Sequence, residues 1–228
     1  MSQLFNRTSG QGVISPNTHL GTTWVVMVGI VALLALIGTP VVSAEQTPTE
    51  SVKSTIDDVI HLLNNDALKQ PSHAVERRQK IEQIVRQRVS YEDMAKLALG
   101  TPWLALTDNE RREFVGLFVQ LLRDMFAGRV DDIADAQVHY LSEQREENCA
   151  EVRTKLVGQK VDTLLDFRLA DKVGQWSVYD VVIDGASIVG NYHAQFNRII
   201  RDHSYAGLVE KMKEKALMVK AFETTTAP

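Results

Sequence analysis

Residues 176–196 change from a strand period to a helix period within one short segment, and this change constrains the fold more than any other feature. Both alternating faces of residues 176–183 are largely apolar, which is typical of a strand covered on both sides. The dipeptide Asp184-Gly185 then predicts a turn, and apolar residues recur at helical spacing over 188–200. A strand that leads through one turn into a helix predicts a domain in which a sheet and helices pack together.

The strongest helical pattern begins at Thr107, which forms a predicted capping box with Glu110. Behind this box, apolar residues recur at i, i+3, i+4, i+7, i+8, i+11 and i+12, the spacing of an amphipathic helix. These residues are Phe114, Leu117, Phe118, Leu121, Leu122, Met125 and Phe126. Weaker patterns predict helices over 52–63, 72–88 and 90–99. Helix N-caps are predicted at three serines, which are Ser90, Ser187 and Ser204.

Four strands are predicted between the helical segments, over 137–143, 150–157, 162–170 and 174–183. Because short polar connections join them, neighbouring strands are expected to pair antiparallel. Helices that precede and follow such a sheet predict an α+β domain, with helices packed on a four-stranded antiparallel sheet.

The N-terminal region differs from the rest of the chain. Residues 24–37 form an apolar run of 14 residues, which is shorter than the ~20 residues that span a bilayer as a helix. Small residues follow at 42–44, in the order typical of a secretory signal, and cleavage is predicted after Ala44. The alternative is an uncleaved anchor. The predicted organisation is a signal peptide over 1–44, a linker over 45–51, a binding domain over 52–221 and a disordered tail over 222–228.

Composition excludes some classes of function. The net charge of −4 does not favour a nucleic-acid binder, which would need a basic face. The single cysteine, Cys149, allows no internal disulfide, and it follows two glutamates. Because a reactive thiolate needs a basic setting, Cys149 is interpreted as a non-reactive residue at the start of a strand. Export by the predicted signal peptide would place the protein in the periplasm.

A hydrolase is the enzymatic alternative, because an acid, a hydroxyl and an imidazole lie close together at Asp180, Ser187 and His193. Tyr179 and Asp184 are further candidates in the same stretch. However, no G-x-S-x-G motif surrounds Ser187, and a helix cap explains this serine better. The six histidines show no zinc-ligand spacing. We therefore expect no catalytic residue, no metal and no cofactor.

A set of short motifs occurs along the chain in a fixed order and spacing. These motifs are residues 94–100 (MAKLALG), Trp103, 107–118, 176–181 (WSVYDV), 187–189 (SIV), 191–192 (NY) and 195–196 (QF). Together they resemble the MlaC family, the phospholipid-binding component of the maintenance-of-lipid-asymmetry (Mla) transport system, also called the toluene-tolerance or ABC-transporter auxiliary-component family. The resemblance covers roughly residues 52–215. This chain has His193 where the family pattern has a basic residue, which weakens the idea of a phosphate-binding cation there.

The resemblance implies a non-catalytic periplasmic carrier that holds a glycerophospholipid, with its acyl chains inside the protein and its headgroup outside. It implies a helix-covered antiparallel sheet, similar to the NTF2-like fold, with an apolar cavity between sheet and helices. The implied partners are an inner-membrane ABC transporter complex with a substrate-binding ring and an outer-membrane lipoprotein–porin complex, and the implied state is a monomer. Two alternatives stay open: a carrier of another lipid, such as a hopanoid, and a periplasmic scaffold or adaptor with a solid core.

If the chain encloses a lipid, apolar residues of the sheet and of the facing helices are the candidate lining. They are Leu97, Phe114, Phe118, Leu121, Leu122, Leu165, Phe167, Tyr179, Val181, Ile183, Ile188, Tyr192 and Phe196. Each of these residues could instead be ordinary core, which is the commoner role of an aromatic stripe at helical spacing. On the strand predicted over 174–183, Tyr179, Val181 and Ile183 share one face. The opposite face, with Trp176, Val178 and Val182, is an alternative lining.

Overall fold

A computed structural model describes residues 46–126, 134–158 and 161–226 of the chain, with side chains described to residue 217. The predicted signal peptide, 1–44, lies outside the described residues. Within the described ranges, no helix combines the length and apolarity needed to cross a membrane. The bounds predicted for the linker, domain and tail stay predictions.

Within the described ranges, five α-helices precede the sheet and a long one follows it. The helices are α1 (Pro48–Leu63), α2 (Asp66–Lys69), α3 (Ala74–Arg86), α4 (Tyr91–Leu99), α5 (Asp108–Phe126) and α6 (Ile188–Thr226). Short 3₁₀ helices lie at Pro71–His73 and Thr101–Ala105. The strands are β1 (Gln137–Glu146), β2 (Cys149–Val157), β3 (Asp162–Asp171), β4 (Trp176–Ile183) and β5 (Ala186–Ser187). This order confirms the α+β class.

The strands form one antiparallel sheet in the order β1-β2-β3-β4-β5, so each strand pairs with the next in sequence. The sheet has five strands instead of the predicted four. The additional strand, β5, arises because Asp184 and Gly185 both adopt positive φ, which turns the chain back against the end of β4. Its two residues, Ala186 and Ser187, pair with Ile183 and Val182.

A bulge changes the faces of β4. Asp180 pairs with Arg168, but the next pair is Val178 with Leu169, so Tyr179 has no partner in the register. An extra residue on one strand shifts the alternation of side chains beyond it. The predicted grouping of Tyr179 with Val181 on one face is therefore wrong, because Val178 and Val181 line the same space.

The predicted helix ends are only partly confirmed. At α5, Thr107 and Glu110 form the predicted capping box: the Thr107 amide donates to the Glu110 carboxylate (2.8 Å), and the Glu110 amide donates to the Thr107 hydroxyl (3.3 Å). At α6, the Gly190 amide donates to the Ser187 hydroxyl (2.8 Å). The cap predicted at Ser90 is wrong, because its hydroxyl donates to the Asp93 carboxylate instead (2.6 Å). Ser204 (φ 66°) interrupts the helical backbone of α6.

Two clusters of buried side chains form the core. The first joins α4, α5 and α6, and its aromatic centre is Phe114, Phe118 and Phe196. The rings of Phe114 and Phe118 stack with centroids 6.3 Å apart, and Phe196 packs edge-on against both. The second cluster joins α1 to the sheet through Val52, Val152, Leu169, Trp176 and Val178. Members of both clusters, among them Leu122 and Val178, line the same cavity.

The segment between α3 and α4 is bonded to the sheet. The Ser90 amide donates to the Val178 carbonyl (2.8 Å), and the Val178 amide donates to the Arg88 carbonyl (2.8 Å). Nearby, the Lys172 ammonium lies 2.5 Å from the Asp93 carboxylate and donates to the Ser90 hydroxyl (2.9 Å). These bonds fix the start of α4 against β4 and the β3–β4 turn.

We expect this anchor to make stability depend on pH. Burial tends to raise the pKa of the Asp93 carboxyl, but hydrogen bonds from Lys172 and Ser90 outweigh burial and hold the pKa below its usual value of 3.8. Since the folded pKa is lower than the unfolded one, the stabilisation is present above about pH 4 and is lost as the pH falls further. Asp93→Asn should therefore lower the urea midpoint at neutral pH, by an amount that shrinks below pH 4.

Glu92→Gln is the matched control for this experiment, because Glu92 is an exposed neighbour on the same helix turn. Its urea midpoint should follow that of the wild type across the whole pH range. If the deficit of the Asp93 variant is the same at acidic and neutral pH, the ion pair with Lys172 is not its cause.

Candidate functional site

A cavity with a volume of about 310 Å³ lies between the sheet and the helices α1, α3 and α5. Its size is at the lower end of the ~300–1,000 Å³ that ligand pockets occupy. Most of its lining is aliphatic or aromatic, so it suits an apolar ligand.

Three helices form the walls, and each contributes side chains at helical spacing. On α1 the lining comes from Val52, Ile56 and Val59, on α3 from Ile81 and Val85, and on α5 from Val119, Leu122 and Phe126. The same periodicity that identifies an amphipathic helix thus directs one stripe of each helix into the cavity.

The sheet forms the floor. Leu165 and Phe167 reach the cavity from β3, and Val178 and Val181 reach it from β4. Phe167 and Val181 are direct partners across the two strands, so their side chains lie beside each other on the same face. Further lining comes from Leu156 on β2, Ile188 at the start of α6, and Val89, Tyr91 and Met94 around the start of α4.

The polar lining includes two hydroxyls, Ser51 and Thr55, and four charged side chains, Arg78, Glu82, Arg88 and Arg123. The Glu82 carboxylate accepts hydrogen bonds from Arg86 (2.6 Å) and from Arg123 across on α5. Partial burial tends to raise the pKa of Glu82, but the bonds from Arg86 and Arg123 outweigh it, and the pKa lies below its usual value. Glu82 is therefore ionised at neutral pH.

The predicted lining residues fall into three groups. Leu122, Leu165, Phe167, Val181 and Ile188 line the cavity. Six more residues, on the helices and at the end of β4, belong to the first core cluster or pack against it. They are Phe114, Phe118, Leu121, Ile183, Tyr192 and Phe196. Leu97 is 47% exposed on α4, and Tyr179 stands at the bulge of β4; neither lines the cavity.

Sequence reasoning missed the contribution of α1 and α3. A signal was present, because α3 is rich in charged residues and yet carries Ile81, Ile84 and Val85 together. In the structure none of its residues is fully buried. Apolar side chains that stay partly exposed on an otherwise polar helix are candidates for a binding surface.

The candidate hydrolase residues are not assembled as a triad. The Asp180 carboxylate accepts from Arg168 (3.0 Å), from the Ser187 hydroxyl (2.7 Å) and from the Val189 amide (3.1 Å). The His193 ring lies against Gly100 instead, where an added Cβ would come within 2.6 Å of it. Its Nε2 atom is 2.8 Å from the side-chain Nδ2 atom of Asn197. Asp180 and Ser187 thus link β4 to the start of α6 through hydrogen bonds.

Asp184 and Cys149 have positions that fit their structural interpretation. Asp184 accepts from the Leu164 amide (2.9 Å) at the turn after β4, and Cys149 is exposed at the first position of β2. Among the residues that the structure describes, no group of three or more histidine, cysteine or carboxylate side chains is placed to hold a metal ion.

We expect Asp180→Asn to destabilise the fold by about 1.5–3 kcal/mol, the range for hydrogen bonds to charged groups. Asp180 is only 3% exposed. The side-chain amide of an asparagine at this position would pair poorly with Arg168 and with either Ser187 or Val189. The free energy of unfolding in urea measures the effect. Asp166→Asn is the control, because burial raises the pKa of Asp166 and its loss of charge should cost less. If the two substitutions lower the free energy of unfolding equally, the hydrogen bonds that Asp180 accepts are not the cause of the loss.

A family model described as MlaC protein matches residues 53–214. A solved structure of a phospholipid-binding protein from Ralstonia solanacearum, in complex with a phospholipid, is similar with a TM-score of 0.66 and 24% sequence identity. The similarity covers 75% of this chain and 97% of the other, and it shows the fold. No curated protein sequence matches significantly.

Proposed function

The chain belongs to the MlaC family, and we propose that it is a carrier that holds the acyl part of a glycerophospholipid in the cavity between sheet and helices. The observation that carries this proposal is the cavity itself: an apolar space of about 310 Å³ with charged side chains among its lining. A molecule with long hydrocarbon chains and one polar end matches that division. The similar protein from Ralstonia solanacearum is described with a bound phospholipid, which supports the same ligand class.

The energetics of transfer suit a carrier. Burying a methylene group contributes about 0.8 kcal/mol, so enclosing about 14 carbons of one chain would recover roughly 11 kcal/mol relative to water. Transfer from a bilayer is close to neutral, because the hydrocarbon is apolar at both ends. A shuttle needs this balance, since partner proteins can then decide the direction of transfer.

Family membership also supports a cellular location and a set of partners for the carrier. We propose that it acts in the periplasm, after export by the signal peptide predicted over 1–44, within an Mla-type system that maintains outer-membrane lipid asymmetry. Its proposed partners are an inner-membrane ABC transporter complex with a substrate-binding ring and an outer-membrane lipoprotein–porin complex. The proposed mechanism is non-catalytic, because the protein moves lipid without changing its covalent bonds.

Native mass spectrometry with lipid extraction tests the proposal on protein purified from a bacterial periplasm. A stoichiometric phospholipid is the expected result. Extraction of a hopanoid alone would redirect the assignment to another lipid class. A mass without lipid, together with no uptake from phospholipid vesicles, would overturn the carrier and favour a scaffold or adaptor.

A further inference from the structure

An ion pair joins two walls of the cavity. The Glu82 carboxylate, on α3, accepts a hydrogen bond from the Arg123 guanidinium on α5. It also accepts one from Arg86, which lies one turn further along its own helix (2.6 Å). Glu82 and Arg123 both line the cavity, whereas Arg86 does not. The pair of Glu82 and Arg123 therefore connects two helices that enclose the same apolar space.

Helix α3 has little apolar packing to hold it in place. None of its residues is fully buried, and its main backbone neighbours within the described ranges are α1 and α2 rather than α5. Its apolar side chains Ile81 and Val85 line the cavity. Because regions with few apolar contacts open at low free energy, a polar bond to α5 has more influence on α3 than on a helix held by a packed core.

The exposure of the pair suits a bond that opens. Glu82 is 23% exposed and Arg123 is 47% exposed, so water reaches both charges when they separate. Breaking a buried ion pair is strongly destabilising, whereas an exposed pair contributes little. Arg86 lowers the cost of opening further, because it can keep Glu82 paired when Arg123 moves away. The carboxylate thus has a partner in both the closed and the open arrangement.

We propose that the ion pair of Glu82 and Arg123 is a latch that limits how fast lipid enters and leaves the cavity. This inference rests on the proposed carrier function. While the pair is formed, α3 and α5 stay connected and cover the acyl chain between them. When the pair opens, α3 moves away from α5 and hydrocarbon passes between the two helices. The apolar lining supplies the binding, and the latch sets the rate of exchange.

The rate of lipid exchange tests the latch. Protein loaded with deuterium-labelled phosphatidylethanolamine is mixed with excess vesicles of unlabelled phosphatidylethanolamine and phosphatidylcholine, and native mass spectrometry follows the loss of label over time. Glu82→Gln and Arg123→Gln should each speed this loss by about two- to fivefold, the effect of removing a partly exposed ion pair. The double variant should be no faster than the faster single variant, because both substitutions remove the same bond.

Glu113→Gln is the matched control. Glu113 on α5 also pairs with a cation on another helix, Lys213 on α6 (2.6 Å), and both side chains are about half exposed. Neither residue lines the cavity. The variant makes the same change in charge as Glu82→Gln and should exchange lipid at the wild-type rate. If it is as fast as Glu82→Gln, or if Glu82→Gln and Arg123→Gln both keep the wild-type rate, the latch is ruled out.

Hydrogen exchange of delipidated protein gives a second readout that needs no lipid. The amides of α3 should exchange about two- to fivefold faster in Arg123→Gln than in the wild type. Because Arg123 lies on α5, this effect reports the bond across the cavity. Faster amide exchange with an unchanged rate of lipid exchange would overturn the latch, since the pair would then hold the helix without controlling the passage of lipid. Failure of the wild type to take up phospholipid would instead overturn the carrier function.

Discussion

Val181→Trp should leave the protein folded but reduce its bound phospholipid by about tenfold or more. Val181 lies on the cavity floor beside Phe167, its partner across β3 and β4. A tryptophan there would occupy space that the acyl chain needs in a cavity of about 310 Å³. Overpacking costs about 1–3 kcal/mol, and each 1.4 kcal/mol corresponds to about a tenfold loss of affinity. Native mass spectrometry after uptake from vesicles measures the occupancy.

Tyr179→Trp is the control for this substitution. It places the same side chain on the same strand, two residues away, at the bulge and outside the cavity lining. This variant should load lipid like the wild type. If Val181→Trp and Tyr179→Trp retain equal amounts of lipid, the cavity floor is not where the acyl chain lies.

Phe118→Ala should destabilise the protein by about 3–5 kcal/mol, the typical cost of removing a buried phenyl ring. Phe118 is fully buried; it stacks on Phe114 and packs edge-on against Tyr192 with ring centroids 5.3 Å apart. Its loss leaves a void between α5 and α6, among the rings of Phe114, Tyr192 and Phe196. Urea unfolding of delipidated protein measures the effect, because bound lipid would stabilise the native state by mass action.

Val85→Ala gives the opposite pattern. Val85 lines the cavity from α3, so its methyl groups have few protein partners in delipidated protein, and its removal should cost less than about 1 kcal/mol. It should weaken lipid retention, whereas folded Phe118→Ala protein should still load lipid. A larger loss of stability for Val85→Ala than for Phe118→Ala would contradict the division between core and cavity wall.

The sequence predicted the helices and strands better than it predicted the lining of the cavity between them. The capping box of Thr107 and Glu110, the turn at Asp184 and the antiparallel order of the strands follow from local chemistry, and the structure confirms them. The candidate lining was less predictable. The stripe of Phe114 and Phe118 shows which face of α5 is covered, but periodicity is the same whether protein or ligand covers it.

Two features depended on neighbours distant in sequence. Strand alternation gave the wrong faces for β4, because the bulge at Tyr179 comes from its pairing with β3 and leaves no mark in the spacing of residues 176–183. The walls from α1 and α3 were missed for a similar reason. The meeting of Glu82 with Arg123, which are 41 positions apart, is visible only after folding.

The way α3 is held has a consequence for where the empty protein opens first. Its last residues lead into the backbone bonds between Arg88, Ser90 and Val178, whereas none of its own side chains is fully buried. Local opening occurs at the lowest free energy where few apolar contacts are made, so the amides of α3 should exchange with solvent earlier than those of α5. In the proposed carrier, the bound hydrocarbon would supply apolar contacts that α3 lacks in the empty protein, so lipid should slow the exchange of its amides.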